Sequence, residues 1–208
     1  TCFAFVYEET FFHGLAESSS LPASVWTKEG LRARFDVCQS LNTRTGCAPR
    51  EFGWWYQQLL KLGVPEGVPD ISKFYVVWDS DLVPLRPWDL FVRDTKSGEP
   101  LPCVAILQNT SKAPFIFEEY LRAVDMLNGL ADNDEPSPLK GCKPEGGGTF
   151  ISHHMVFSCT TLEIFKRLMK RGTDSGDDCR PLPWPLQIID LSQHLLRFSE
   201  YLTYASFA

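Results

Sequence analysis

Excess positive charge, membrane-length apolar runs and closely spaced cysteines are all missing from this chain of 208 residues. With 20 Lys and Arg against 26 Asp and Glu, the formal net charge is -6, which removes the basic face that a nucleic-acid binder presents. No apolar stretch approaches the length a helix needs to cross a bilayer, so no membrane contact is expected within this segment. The start has no signal-peptide layout. It lacks Met and opens on the apolar run 2–7, and the end, 204–208, is apolar too. We therefore expect a single domain, 1–208, cut from a longer protein. The seven Cys, at positions 2, 38, 47, 103, 142, 159 and 179, form none of the close pairs of zinc ribbons or thioredoxin-like sites. A Gly-x-Ser-x-Gly elbow is absent, as is any local Cys/His pairing, which weighs against hydrolysis through a Ser or Cys nucleophile. Gly146-Gly147-Gly148 lacks the spacing of a dinucleotide or phosphate-loop fingerprint.

What is present is an ordinary globular composition, 44% hydrophobic and 22% charged, enough for one large core. The aromatic share of 13% is high and points to a heavy core or to stacking platforms for flat or sugar ligands. An odd cysteine count leaves at least one thiol outside any internal disulfide. Asn109-Thr110-Ser111 is a glycosylation sequon, a triplet too frequent by chance to decide anything.

Residues 2–7 read as a first strand and 18–22 as loop. The spacing predicts a helix over 54–62, ended by Gly63 and Pro65, then a loop to Pro69. Residues 74–78 form a buried strand in this reading, and 103–107 another. Leu121, Val124, Leu127 and Leu130 recur on one face of a helix over 117–130. The stretch 132–148, dense in Asp, Pro, Gly and Lys, reads as a flexible loop. Residues 149–157 read as a strand, after which Thr160 and Glu163 make a capping box. That box opens a helix with Leu162, Phe165, Leu168 and Met169 on one side. Residues 174–185 are loop, 186–196 are apolar and ambiguous, and 198–204 close the chain. Strands alternating with helices predict an α/β sandwich with a mostly parallel central sheet, whose ligands belong at the carboxyl ends of the strands.

The most informative stretch is the strand 74–78 running directly into Asp79-Ser80-Asp81, with Arg86-Pro87 as a rigid exit. Two carboxylates that close repel and raise each other's pKa. A hard divalent cation with oxygen ligands removes that cost, and a diphosphate is its natural third partner. Trp78, just before them, suits either the core or a stacking role. A second constellation is Ser152-His153-His154-Met155, where alternation along a strand sends the two imidazoles to opposite faces. Only one of them can face a given ligand. Third, Glu200 lies between Phe198 and Tyr201, where desolvation would raise its pKa and suit it to general-base work. An exposed Glu200 is the plainer alternative. On the helix 54–62, Gln57 and Lys61 stand four apart and share a face, from which they could donate to phosphates or a base.

Taken in order, Gly53-Trp54-Trp55-Tyr56-Gln57-Gln58-Leu59-Leu60-Lys61-Leu62, Trp78-Asp79-Ser80-Asp81 with Leu85-Arg86-Pro87, Ser152-His153-His154-Met155-Val156-Phe157 and Phe198-Ser199-Glu200-Tyr201 resemble the DUF6492 family of glycosyltransferase-like proteins. The similarity runs from about Arg50 to the end of the chain. The resemblance implies a GT-A-like fold, a Rossmann-type α/β/α sandwich that binds a nucleotide-sugar donor such as a UDP- or GDP-sugar. It implies that Asp79 and Asp81 hold Mn2+ or Mg2+ against the donor diphosphate, with Ser80 beside it. Arg50, Gln57 and Lys61 would add donor contacts, and His153 or His154 a late metal or ligand contact. Glu200 matches the acid that contacts or deprotonates the acceptor hydroxyl of a carbohydrate or glycoconjugate, although Tyr201 replaces the second acid of that motif. The family spans bacteria and eukaryotes, which would place the enzyme in the cytosol or in the Golgi lumen respectively.

Overall fold

In the computed structural model, residues 8–41, 51–78, 83, 85, 87, 89–102, 114–127, 154–171, 183–195 and 198–205 are described. Among them the fold is mixed α/β and mostly helical. Helix α1 (Glu8–Ser18) buries Phe11, Phe12 and Leu15. Helix α2 (Lys28–Ser40) starts where the Thr27 hydroxyl accepts the Gly30 N–H at 2.9 Å, replacing one missing helical bond. Its inward face, Leu31, Phe35 and Cys38, follows the helical repeat. Gly30 is required there, because a Cβ would stand 2.2 Å from the Ser24 carbonyl oxygen.

Helix α3 (Phe52–Leu62) begins two residues before the expected start, and Phe52, Trp55, Tyr56, Leu59 and Leu62 form its buried stripe. Gly63 ends it and lets the Phe11 ring pass closely. The chain then makes a helical turn, α4 (Val64–Gly67), where loop was expected. Pro65 fits that first turn because its missing N–H would have no helical partner there anyway.

Strand β1 (Phe74–Trp78) has the expected bounds. Strands β2 (Phe91–Arg93), which is exposed, and β3 (Pro100–Pro102) form a hairpin that the sequence pattern does not announce. In its turn, Asp94 accepts the Ser97 hydroxyl at 2.6 Å and the N–H groups of Lys96 and Ser97. Those bonds, the Ser97 hydroxyl first, hold the Asp94 carboxyl below its usual range. Helix α5 (Pro114–Leu127) buries Leu121, Val124 and Leu127, as the periodicity requires. Strand β4 (His154–Ser158) leads into α6 (Cys159–Arg171), with Leu162 and Phe165 buried. The α6 start lies earlier than expected: the Ser158 hydroxyl, rather than Thr160, accepts a first-turn N–H, that of Thr161. Helix α7 (Trp184–Asp190) starts inside the expected loop 174–185 and continues as a 3-10 turn over Leu191–Gln193, so the ambiguous stretch is helical as far as Gln193, and α8 (Glu200–Ala205) follows.

A parallel sheet is not what the described strands form. Strands β1 and β4 pair antiparallel, Phe74 against Ser158 through Trp78 against His154, and β2 pairs antiparallel with β3. The alternation of strands and helices indicates the mixture of elements but carries no information on strand direction. Here the cross-strand side chains mark the register: Tyr75 stacks on Phe157 at 5.4 Å, and Trp78 meets His154 at 5.5 Å. On one face of this pair, Val77, Met155 and Phe157 join side chains of α1, α2, α3, α5, α6, α7 and α8, and on the other face Val156 of β4 is buried as well. The Tyr204 phenol accepts the Ser158 N–H at 2.8 Å on the side of β4 away from β1. The expected strands 2–7 and 103–107 and the loop 132–148 lie outside the described residues.

Candidate functional site

Of the residues singled out by sequence, Arg50, Asp79, Ser80, Asp81 and His153 lie outside the described residues. The described residues next to Asp79 and His153 are, however, partners. Trp78, the last residue of β1, pairs with His154, the first of β4. Trp78 and His154 stand at the same end of the strand pair. That end is the carboxyl end of β1, where the sequence placed the metal-binding chemistry. Trp78 and His154 share one face, and both are half-buried.

The structure brings together two other candidates, Lys61 and Glu200. The Lys61 Nζ donates to Glu200 Oε1 at 2.8 Å and to the Tyr201 hydroxyl at 3.4 Å, and it lies 4.8 Å from the centre of the Tyr201 ring. The Glu200 side chain is 3% exposed and that of Lys61 12%. The Tyr75 hydroxyl donates to the Lys61 carbonyl at 2.9 Å, which ties the end of α3 to β1. The other end of α3 is tied too: Trp54 Nε1 donates to the Phe198 carbonyl at 3.1 Å, and Trp55 stacks on the Phe198 ring. Gln57 faces solvent, whereas its neighbour Gln58 is buried. Gln57 and Lys61 therefore do not form one donor surface as their spacing suggested.

Two further clusters escaped the sequence reading. Lys166 Nζ donates to Glu66 Oε1, and Trp184 Nε1 donates to the same oxygen at 3.2 Å. Lys166 also sits 5.3 Å from the centre of the Trp184 ring. Among the described residues, Glu66 Oε2 is buried without a hydrogen-bond partner. A signal existed: Lys166 falls four residues after Leu162 and one after Phe165, on the buried side of α6. Second, Arg34 grips Asp190 with two nitrogens, joining α2 to α7, and the Cys38 thiol donates to Asp190 Oδ1 at 3.4 Å. The hydrogen bond to Asp190 holds the Arg34 guanidinium above its ordinary value. Burial, and then the Asp190 charge, push the Cys38 thiol up to about 11. Cys38 and Cys159 are both free thiols, and the other five lie outside the described residues.

Compared with protein-family models, curated proteins and solved structures, the chain matches none. The case for a function therefore stays with the residues. Among the described residues, no group of three or more His, Cys, Asp or Glu is placed to hold a metal ion. Asp79 and Asp81 are not among those residues. No described helix is long and apolar enough to cross a membrane.

Proposed function

We propose that the chain is a metal-dependent glycosyltransferase domain of GT-A-like architecture, moving a sugar from a UDP- or GDP-sugar to a hydroxyl of a carbohydrate or glycoconjugate. One observation supports the reading: Trp78, directly before Asp79 in the chain, pairs with His154, directly after His153. The mostly parallel sheet belongs to the proposal as well. A single antiparallel pair is compatible with it, because large mixed sheets commonly include an antiparallel strand.

The His154 ring is already engaged, 5.5 Å from that of Trp78. His153 is therefore the imidazole we assign to the carboxylates, and His154 the ring that packs beside Trp78. Two carboxylates and one imidazole suit Mn2+ or Mg2+. Such an ion supplies Lewis-acid stabilisation to a departing nucleoside diphosphate. The strand that leads to these carboxylates is anchored by Val77 in the core and by Tyr75 packed against it.

The test is a thermal-shift panel of UDP-, GDP- and CMP-sugars with and without Mn2+. A shift that needs both nucleotide and Mn2+ is expected. The variant Asp79→Asn/Asp81→Asn should abolish it, His153→Ala should weaken it, and His154→Ala should leave its metal dependence intact. Retention of the shift in the double Asn variant would refute the assignment. A second reading, a non-catalytic sugar- or nucleotide-binding module, is favoured by one observation, the neutralisation of Glu200 by Lys61. Donor binding without turnover would decide for it.

A further inference from the structure

The geometry points to Lys61 and Glu200 as a single electrostatic clamp that positions α8 on α3, with neither group touching substrate. This inference rests on the glycosyl-transfer reading only for what it denies to Glu200, the role of proton acceptor, and to Lys61, that of phosphate ligand.

Three features carry it. First, a general base must come within hydrogen-bond reach of the proton it removes. The Glu200 carboxylate is 3% exposed and already accepts the Lys61 ammonium at 2.8 Å. Second, the ammonium is directed inward by its bond to the Tyr201 hydroxyl and its place against the Tyr201 ring. A phosphate ligand needs those donors turned outward. Third, the pair belongs to a continuous grip on α3. Tyr75 of β1 donates to the Lys61 carbonyl, and Trp54 donates to the carbonyl two residues before Glu200. The strand leading to Asp79 and the helix carrying Glu200 are thus referenced to the same two turns of one helix. An ammonium and a carboxylate buried together are useful as such a fastener, because each is costly to bury alone.

Replacing both charges at once separates fastening from catalysis. Lys61→Met and Glu200→Met each remove one half of a buried pair and should each lower the melting temperature by about 10 °C. The double variant Lys61→Met/Glu200→Met substitutes two apolar side chains of similar length. It should melt within about 3 °C of the wild type and keep Mn2+-dependent turnover of the UDP-, GDP- or CMP-sugar within about tenfold. A double variant that melts like the wild type but loses turnover by about a hundredfold or more returns Glu200 to the proton-acceptor role and overturns the clamp. A double variant no more stable than the two singles also overturns it. Should the wild type turn over none of the donors, recovery of the melting temperature in the double variant upholds the clamp while the glycosyl-transfer reading falls.

Discussion

Two lysine–glutamate pairs, found among the described residues and each with a buried member, are built differently. Lys61 and Glu200 join α3 to α8, with both side chains withdrawn from solvent and the ammonium shared between a carboxylate and a tyrosine. Lys166 and Glu66 join α6 to α4. There the lysine is as deeply buried, at 6% exposed, but the glutamate is 23% exposed. One Glu66 oxygen takes both the ammonium and the Trp184 N–H, while the other, also buried, has no partner among the described residues. The first pair satisfies an interior cation from two sides. The second concentrates two donors on one oxygen and leaves polar capacity unused. Burying an ion pair is at best near neutral against an apolar replacement. The difference therefore decides which cluster has room to improve, and it should surface in mutants.

The largest effect is expected at Lys166. Lys166→Met leaves the Glu66 carboxylate with only the Trp184 N–H from this cluster, and should cost about 3 to 5 kcal/mol in chemical denaturation. Lys61→Met should be comparably severe. A Lys166→Met loss below about 1 kcal/mol would show that solvent at Glu66 already compensates the charge and would break the comparison. Next is Glu66→Gln, which keeps an acceptor for Lys166 and Trp184 but removes the carboxylate. About 2 kcal/mol of destabilisation is expected, the worth of a charged hydrogen bond. A stabilised Glu66→Gln variant would identify the unpartnered oxygen as the dominant cost.

The smallest effect concerns the third cluster, where Cys38 shares Asp190 with Arg34. The fold prefers the protonated thiol, so its pKa is raised. Its contribution is present below the unfolded value, about 8.5, and is lost as pH rises through about 11. Melting temperature measured across that window should fall less steeply in Cys38→Ala than in the wild type. Parallel curves would show that Cys38 does not contribute to the alkaline loss.

Local pattern accounted for part of this architecture. A run of aromatic and β-branched residues ending at a charge specified β1 to the residue, and the apolar repeat located α3, α5 and α6. Helix α2 went unnoticed although Leu31, Phe35 and Cys38 sit at helical spacing, because Gly30 and a polar remainder dilute the signal. The hairpin was hidden by Pro100 and Pro102, residues that argue against a strand unless it lies at an edge. Strand direction had no local signature at all. The candidate site divides in the same way. Sequence could bring Lys61 and Glu200 forward as charges beside aromatics, but not as partners 139 positions apart. The Glu66 pairing was further out of reach, because nothing near Glu66 announces the lysine a hundred residues on.

The hydroxyl of Tyr204 has a consequence for how far the sheet can grow. By accepting the Ser158 amide, it occupies the donor with which another strand would register against the last residue of β4. Any newcomer along that margin must evict a phenol set at 4.5 Å against the Phe157 ring. At its junction with α6 the ribbon is hemmed by a side chain, a stopper that a single Tyr204→Phe exchange would draw.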